Sequence, residues 1–282
     1  MPTVEASEPV SESRAARRAA REAHLRNPIL PPMATERRIP VVLATAVLAV
    51  LLAIGTTSDH AIGAAAVAWL GLALAWGWPE LLGSPSRFGS SFAVGVAGVL
   101  APVTVAATPD DPFLRHVPVV VAAAVLTMFL HQIVRKDGRP RLTRSVAISA
   151  AGIAIATIGA AWVPLGRTSG GPEVVVVVAV ALAVSALTDL GASIAKVRPW
   201  MIAVAALLGF LAGGVSGLVV DEVGVVAGVL LGAVSATLAH VMRRVLCVLP
   251  PIRGLRGQLT AAAASVLVTG VPVYVLAMIL VG

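Results

Sequence analysis

The sequence predicts an all-α fold: a polytopic membrane helix bundle of about nine transmembrane helices, with the N-terminus in the cytosol and the C-terminus outside. Three observations carry this expectation. Hydrophobic residues fill 58% of the 282 positions and charged residues only 12%, about half the charged share of an ordinary soluble domain. The charges are also confined to short segments between long apolar runs. Finally, Lys and Arg collect in every second segment. A water-soluble fold would lack the polar surface to cover so much apolar material, so the helices must face lipid.

A spanning helix needs about 20 apolar residues. Charge-free runs extend between Arg38 and Asp59, then over Ala61–Pro79, Phe88–Pro109, His116–Val134 and Ser145–Gly166. Val174–Ala195 follows, interrupted only by Asp189, and Pro199–Val220, Val223–Met242 and Gly257–Gly282 complete nine. Length decides for helix over buried strand, since periodicity carries no signal in segments apolar all round.

Orientation follows from the loops. With the N-terminus inside, the inner segments are 1–38, 80–87, 135–144, 196–198 and 243–256, and they hold nineteen of the 21 Lys and Arg residues. The outer loops hold Arg115 and Arg167 together with Asp59, Asp110, Asp111, Glu173, Asp221 and Glu222. This asymmetry is the positive-inside pattern of a multi-pass protein of the plasma (cytoplasmic) membrane. The net charge of +7 is therefore a topology signal and an attraction to anionic headgroups, with no nucleic acid implied.

Two domains result: a basic cytosolic tail over 1–38 and a nine-span domain over 39–282. In the tail, Arg14, Arg17, Arg18 and Arg21 stand at helical spacing with alanines between them. A surface helix and a solvated, partly disordered segment are both open, and the weak alanine face favours the second. The first apolar run lacks a small-residue cleavage pattern and reads as a retained first span. A single cysteine, Cys247, excludes a disulfide framework and a cysteine-based metal site.

The chain has no P-loop, dinucleotide-binding glycine fingerprint, H-E-x-x-H or G-x-S-x-G. The glycines of Gly209–Gly214 and Gly228–Gly232 are spacings that let helices approach closely. Polar groups at membrane depth are more telling, because a charged residue there costs about 2.5–3.5 kcal/mol unless satisfied. Asp189 is the one carboxylate inside a span. It is read either as a structural partner of Lys196 or Arg198 or as part of a site. His131 with Gln132, and His240 one turn before Arg243, lie at inner helix ends, where interfacial hydrogen bonding accounts for the histidines.

Leu249-Pro-Pro-Ile-Arg-Gly-Leu-Arg-Gly-Gln-Leu-Thr260 resembles a motif of the phosphatidate cytidylyltransferases, which make CDP-diacylglycerol from CTP and phosphatidate. That family carries L-P-G-H-G-G, an apolar pair and D-R-L-D at this place. Leu249, Pro250, Gly254, Leu255 and Leu259 match without a gap. Thr188-Asp189-Leu-Gly191 resembles the family's S-D-x-G segment. Trp200, preceded by Lys196 and Arg198, resembles its basic segment ending in tryptophan. Ala236–Arg244 resembles its G-D-L-x-E-S-x-x-K-R helix. The order of segments and the span count are similar as well, so the resemblance covers most of residues 40–282.

The departures fall on acids. The family's histidine is Ile252 here and its loop aspartates are Gly257 and Thr260. In the preceding helix its aspartate is Thr237 and its glutamate His240, and Met201 follows Trp200 where the family has glutamate. Asp189 is the surviving acidic match and the only catalytic candidate. Nucleotidyl transfer needs divalent metal held by carboxylates, so magnesium enters only if the chain is an enzyme, and no metal ligands are assigned.

Lys196, Arg198, His240, Arg243, Arg244, Arg253 and Arg256 remain on the cytosolic side. They could form a cradle for a phosphate headgroup, since arginine forks suit bidentate phosphate contacts, or they could serve as topology markers alone. Three readings follow. The first is a non-catalytic cytidylyltransferase-like protein that binds membrane lipid, specifically anionic phospholipid, or a membrane partner such as a second copy. The second is an active phosphatidate cytidylyltransferase using Asp189 with Glu80 or Asp137. The third is a transporter, for which no inverted repeat or midplane break is visible. The first reading expects Asp189, Lys196 and the arginines of 243–256 to share one cytosol-side cavity.

Overall fold

The computed structural model describes residues 38–136 and 141–281. The basic tail, Asp137 and Arg139 lie outside them. Among the described residues the chain is helical, and nine segments are long and apolar enough to cross a bilayer, as a multi-pass membrane protein requires.

The helices are α1 (Ile39–Ser58), α2 (His60–Leu81), α3 (Arg87–Ala107), α4 (Val117–Val134), α5 (Leu142–Gly159), α6 (Gly171–Ala186), α7 (Met201–Val219), α8 (Gly224–Leu246), α9 (Leu255–Leu267) and α10 (Gly270–Leu280). Helices α1 to α4, α7 and α8 each account for one span. The fifth span continues past α5 through 3₁₀ turns at Ala160–Trp162 and Pro164–Arg167, and the sixth past α6 through Leu187–Ser193. The ninth is divided into α9 and α10.

Proline explains two of these departures from unbroken helices. Its ring collides with the carbonyl four residues back and its nitrogen donates nothing. Pro164 therefore disturbs the turn at Ala160, and Pro272 the turn at Val268, which is where α5 and α9 end. Thr269 partly repairs the second break by donating to the Val266 carbonyl at 2.6 Å.

The interior is built from small residues. In α9, Ala261–Ala264 are fully buried, as are Thr260 and Ser265. The most extensive helix pair is α7 with α8. Here Gly209, Gly213 and Gly217 lie against Gly232, Gly228 and Gly224, and a Cβ added at Gly209, Gly213 or Gly217 would meet the opposite backbone. Without a hydrophobic force between helices in lipid, such close packing is what holds a pair together. Two tryptophans tie neighbouring spans. The Trp78 indole donates to the Ile148 carbonyl at 2.8 Å and the Trp162 indole to Val266 at 3.3 Å.

Consecutive spans run antiparallel, so the two ends of the bundle differ in charge. At the basic end, Arg144 donates to the Leu82 carbonyl and Arg256 meets Glu80. At the other end, Arg167 closes the bundle by donating to the Thr108 and Pro109 carbonyls at 2.6 and 2.7 Å, its guanidinium 4.4 Å from the Phe113 ring centroid.

Candidate functional site

Asp189 lies in the 3₁₀ stretch that ends the sixth span, a tighter winding than the α6 helix before it. Its carboxylate is held by two residues of α8. Arg243 donates through Nε to Oδ2 at 2.5 Å, and His240 Nδ1 stands 2.8 Å from Oδ1. His240 and Arg243 are fully buried, while the Asp189 side chain keeps 13% of its surface exposed. Arg243 also donates through Nη2 to the Ser185 carbonyl at 3.5 Å. His240 and Arg243 sit on one face of α8 because they are three positions apart. A charge pair at this depth is sustained only when the two ions satisfy each other.

The partners differ from those expected in the sequence, Lys196 and Arg198. Arg198 donates through Nε to the Ala192 carbonyl at 3.1 Å, closing its own loop, and Lys196 is exposed. Spatial pairing across spans prevails because α8 packs against α6 and offers a preformed pair of partners. Arg244 is half-buried and Arg253 exposed.

Arg256 belongs to a second cluster. It opens α9 beside the C-terminal end of α2, where its guanidinium carbon is 4.9 Å from the Trp76 ring centroid and its Nη1 is 3.3 Å from Glu80. Glu80, considered above as a helper to Asp189, is thus paired with an arginine. Below Trp76 an apolar cleft of about 450 Å³ runs along α1, α2 and α9, lined by Leu48, Trp69, Leu72, Ala73, Trp76 and Leu259.

The positions that the sequence resemblance matched to polar motif residues, at Thr260, Gly257, Thr237 and Ile252, serve packing here. Thr260 is fully buried and donates to the Ala73 carbonyl at 3.3 Å. Gly257 is pressed so closely to the backbone of Pro251 and Ile252 that a Cβ would stand 2.5 Å from the Pro251 oxygen. Thr237 bonds back to Ala233, and Ile252 is buried in the apolar core. Both oxygens of Asp189 are engaged, one by Arg243 and one by His240. This arrangement does not fit a divalent ion, and among the described residues no group of three or more His, Cys, Asp or Glu side chains could hold one.

A third polar cluster joins His131 and Gln132, which the sequence marked for hydrogen bonding at a helix end, to five serines that it did not mark. Where α3, α4 and α5 meet at the basic end, Ser86 Oγ lies 2.6 Å from His131 Nε2 and Ser84 Oγ 3.0 Å from Ser90 Oγ. Ser149 donates to Ser90 at 2.8 Å, and Gln132 donates to Ser145 Oγ at 2.9 Å. All five serines and Gln132 are buried. For three of the serines the signal available in the sequence was the run Ser84-Pro-Ser-Arg-Phe-Gly-Ser-Ser91, and nothing in it announces partners on two other helices.

Compared with known protein families, curated proteins and solved structures, the chain matches none.

Proposed function

We propose that this chain is a cytidylyltransferase-like protein of the plasma membrane, N-terminus inside and C-terminus outside, that binds anionic phospholipid without carrying out nucleotidyl transfer. The observation that carries the lipid reading is Arg256 stacked on Trp76 at the head of the apolar cleft. An acyl chain fits a cleft of leucine and tryptophan, and a phosphate fits a half-exposed guanidinium held to Glu80 by a 3.3 Å pair. Exposed pairs of this kind are weak and exchange readily for a stronger anion. The engagement of Asp189 by Arg243 and His240 supports the absence of metal-dependent transfer. The segregation of basic loops supports the orientation.

Native mass spectrometry of the purified protein tests the binding. Phosphatidate should be retained in preference to phosphatidylcholine, and Arg256→Gln should weaken that preference about tenfold, the loss of one charge-assisted contact. Equal retention of both lipids would sink the reading. Pyrophosphate release from CTP, magnesium and phosphatidate that disappears in Asp189→Asn would replace it with the nucleotidyl reading. For orientation, cysteines placed at Thr57 and Ser169 should label from outside intact cells and one at Arg139 should not.

A further inference from the structure

We infer that Ser86 is an activated nucleophile, paired with His131 as its base, that acts on acyl esters of membrane lipids. Ser86 and His131 belong to a different cluster from Arg256, although the cleft beside α3 shares Trp76 with the lipid cleft.

Ser86 is the residue preceding α3, where a serine ordinarily turns its hydroxyl to accept from the first-turn N–H groups. It does not do so here. Its hydroxyl instead lies 2.6 Å from His131 Nε2, the distance a serine–histidine nucleophile requires. The ring is fixed by packing. His131 is laid against Gly89, in the first turn of α3, so closely that any Cβ at Gly89 would occupy the position of the ring. The first-turn N–H groups of α3, left uncapped by the Ser86 side chain, have no carbonyl within their own helix. They belong to the residues that follow Ser86 at the positive end of a 21-residue helix, the kind of place where a developing oxyanion is stabilised.

The substrate class follows from the surroundings. An apolar cleft of about 580 Å³ runs between α2 and α3, lined by Phe88 in the first turn of α3 and by Trp76, Phe92, Gly95 and Val99. It ends two residues along the chain from Ser86, which itself lies on the α4 side and does not line it. Phe88 is 80% exposed and Phe92 57%. A long acyl chain lying in that cleft would bring its ester to the helix start.

The chemistry balances with water as the second reactant. Ser86 Oγ forms a bond to the acyl carbonyl carbon and its proton passes to His131 Nε2. The bond from that carbon to the ester alkoxy oxygen breaks, and the departing alcohol takes the proton from His131. Water then attacks the acyl-serine, giving a proton to His131. The fatty acid leaves as Ser86 regains its hydrogen.

The test is labelling of the full chain in detergent by a fluorophosphonate probe, read by peptide mass spectrometry, alongside hydrolysis of a fluorogenic diacyl lipid. The expected result is modification at Ser86, abolished in Ser86→Ala. It should fall by about 100-fold or more in His131→Gln, the lower range for removal of a general base. The glutamine variant can still hydrogen-bond Ser86, and an unchanged melting temperature shows that it remains folded. Should it unfold, Ser86→Cys in the otherwise native chain provides the second measurement. Its thiol should react with iodoacetamide at least tenfold faster than a cysteine placed at neighbouring Ser91. No modification at Ser86 above that at Ser91, labelling indifferent to His131→Gln, or equal thiol reactivity at the two positions would each overturn the assignment.

Discussion

Two of the polar junctions at the basic end of this bundle are built on opposite principles. Between the sixth and eighth spans, an ion pair and a histidine are packed together, with Arg243 and His240 fully buried and Asp189 mostly so. Where α3, α4 and α5 meet, neutral hydroxyls, an amide and an imidazole link several helix ends through short hydrogen bonds. The charged junction concentrates its energy in one carboxylate. The hydroxyl junction spreads it over weak contacts, any one of which can rearrange. The first is suited to fixing two helices in register, and the second to holding a reactive group without a buried charge.

That contrast is most directly broken at the charged junction. Removing one partner leaves an uncompensated ion in a water-poor interior. Arg243→Ala should therefore lower stability by about 3–5 kcal/mol, read as unfolding in detergent. Asp189→Ala should cost a similar amount. The double variant should be less damaged than the two losses added, because neither ion is then stranded. Strict additivity would mean that Asp189 and Arg243 do not act as a pair.

The two junctions also differ in how visible they are in the sequence. Asp189 interrupts a run that is otherwise free of charge from Val174 to Ala195, so its importance is evident without coordinates. Its partner was not evident. Lys196 and Arg198 are nearer along the chain, yet α8 supplies Arg243 because helices pack by face and not by sequence distance. The nine spans were legible because hydropathy and length specify them. The breaks before Ala160 and after Leu267 were not read out, although Pro164 and Pro272 mark them. Serines are a different matter. A hydroxyl in a membrane helix can bond to its own carbonyl four residues back, as the threonines Thr45 and Thr56 do. A serine that reaches across to another helix looks the same in the sequence.

The charged junction can be sharpened by asking whether α8 is positioned by its ions or by its glycines. Gly213 faces Gly228 across the α7–α8 contact with no room for a Cβ. Gly213→Val forces the two helices apart and should cost about 1–3 kcal/mol, the usual range for overpacking. Repeating the Asp189–Arg243 double-mutant cycle in the Gly213→Val background separates the two cases. If the ion pair alone fixes α8, the coupling between Asp189 and Arg243 should keep its native size. If the glycine seam positions α8, the coupling should shrink as the helix is displaced from α6.

The smallest effect is expected at the hydroxyl junction, and its smallness is the point of the comparison. Ser149 donates to Ser90 at 2.8 Å and also approaches its own helix carbonyl at Ser145, 3.0 Å away. When Ser149→Ala removes the hydroxyl, Ser90 still has Ser84 at 3.0 Å, so no buried donor is left wholly unmatched. Side-chain hydrogen bonds between membrane helices average about 0.6 kcal/mol, and Ser149→Ala should cost about that amount. In a double-mutant cycle, Ser90→Ala with Ser149→Ala should show a coupling of the same size. A loss of several kcal/mol would mean that the serines form one cooperative unit, as the ions do. The network would then be structural at its centre, and substitutions at Ser86 would disturb folding before they disturbed chemistry. A loss of about 0.6 kcal/mol, the membrane average, leaves Ser86 and His131 supported by a scaffold that tolerates change around them. Only under that condition can their reactivity be measured by substitution at all.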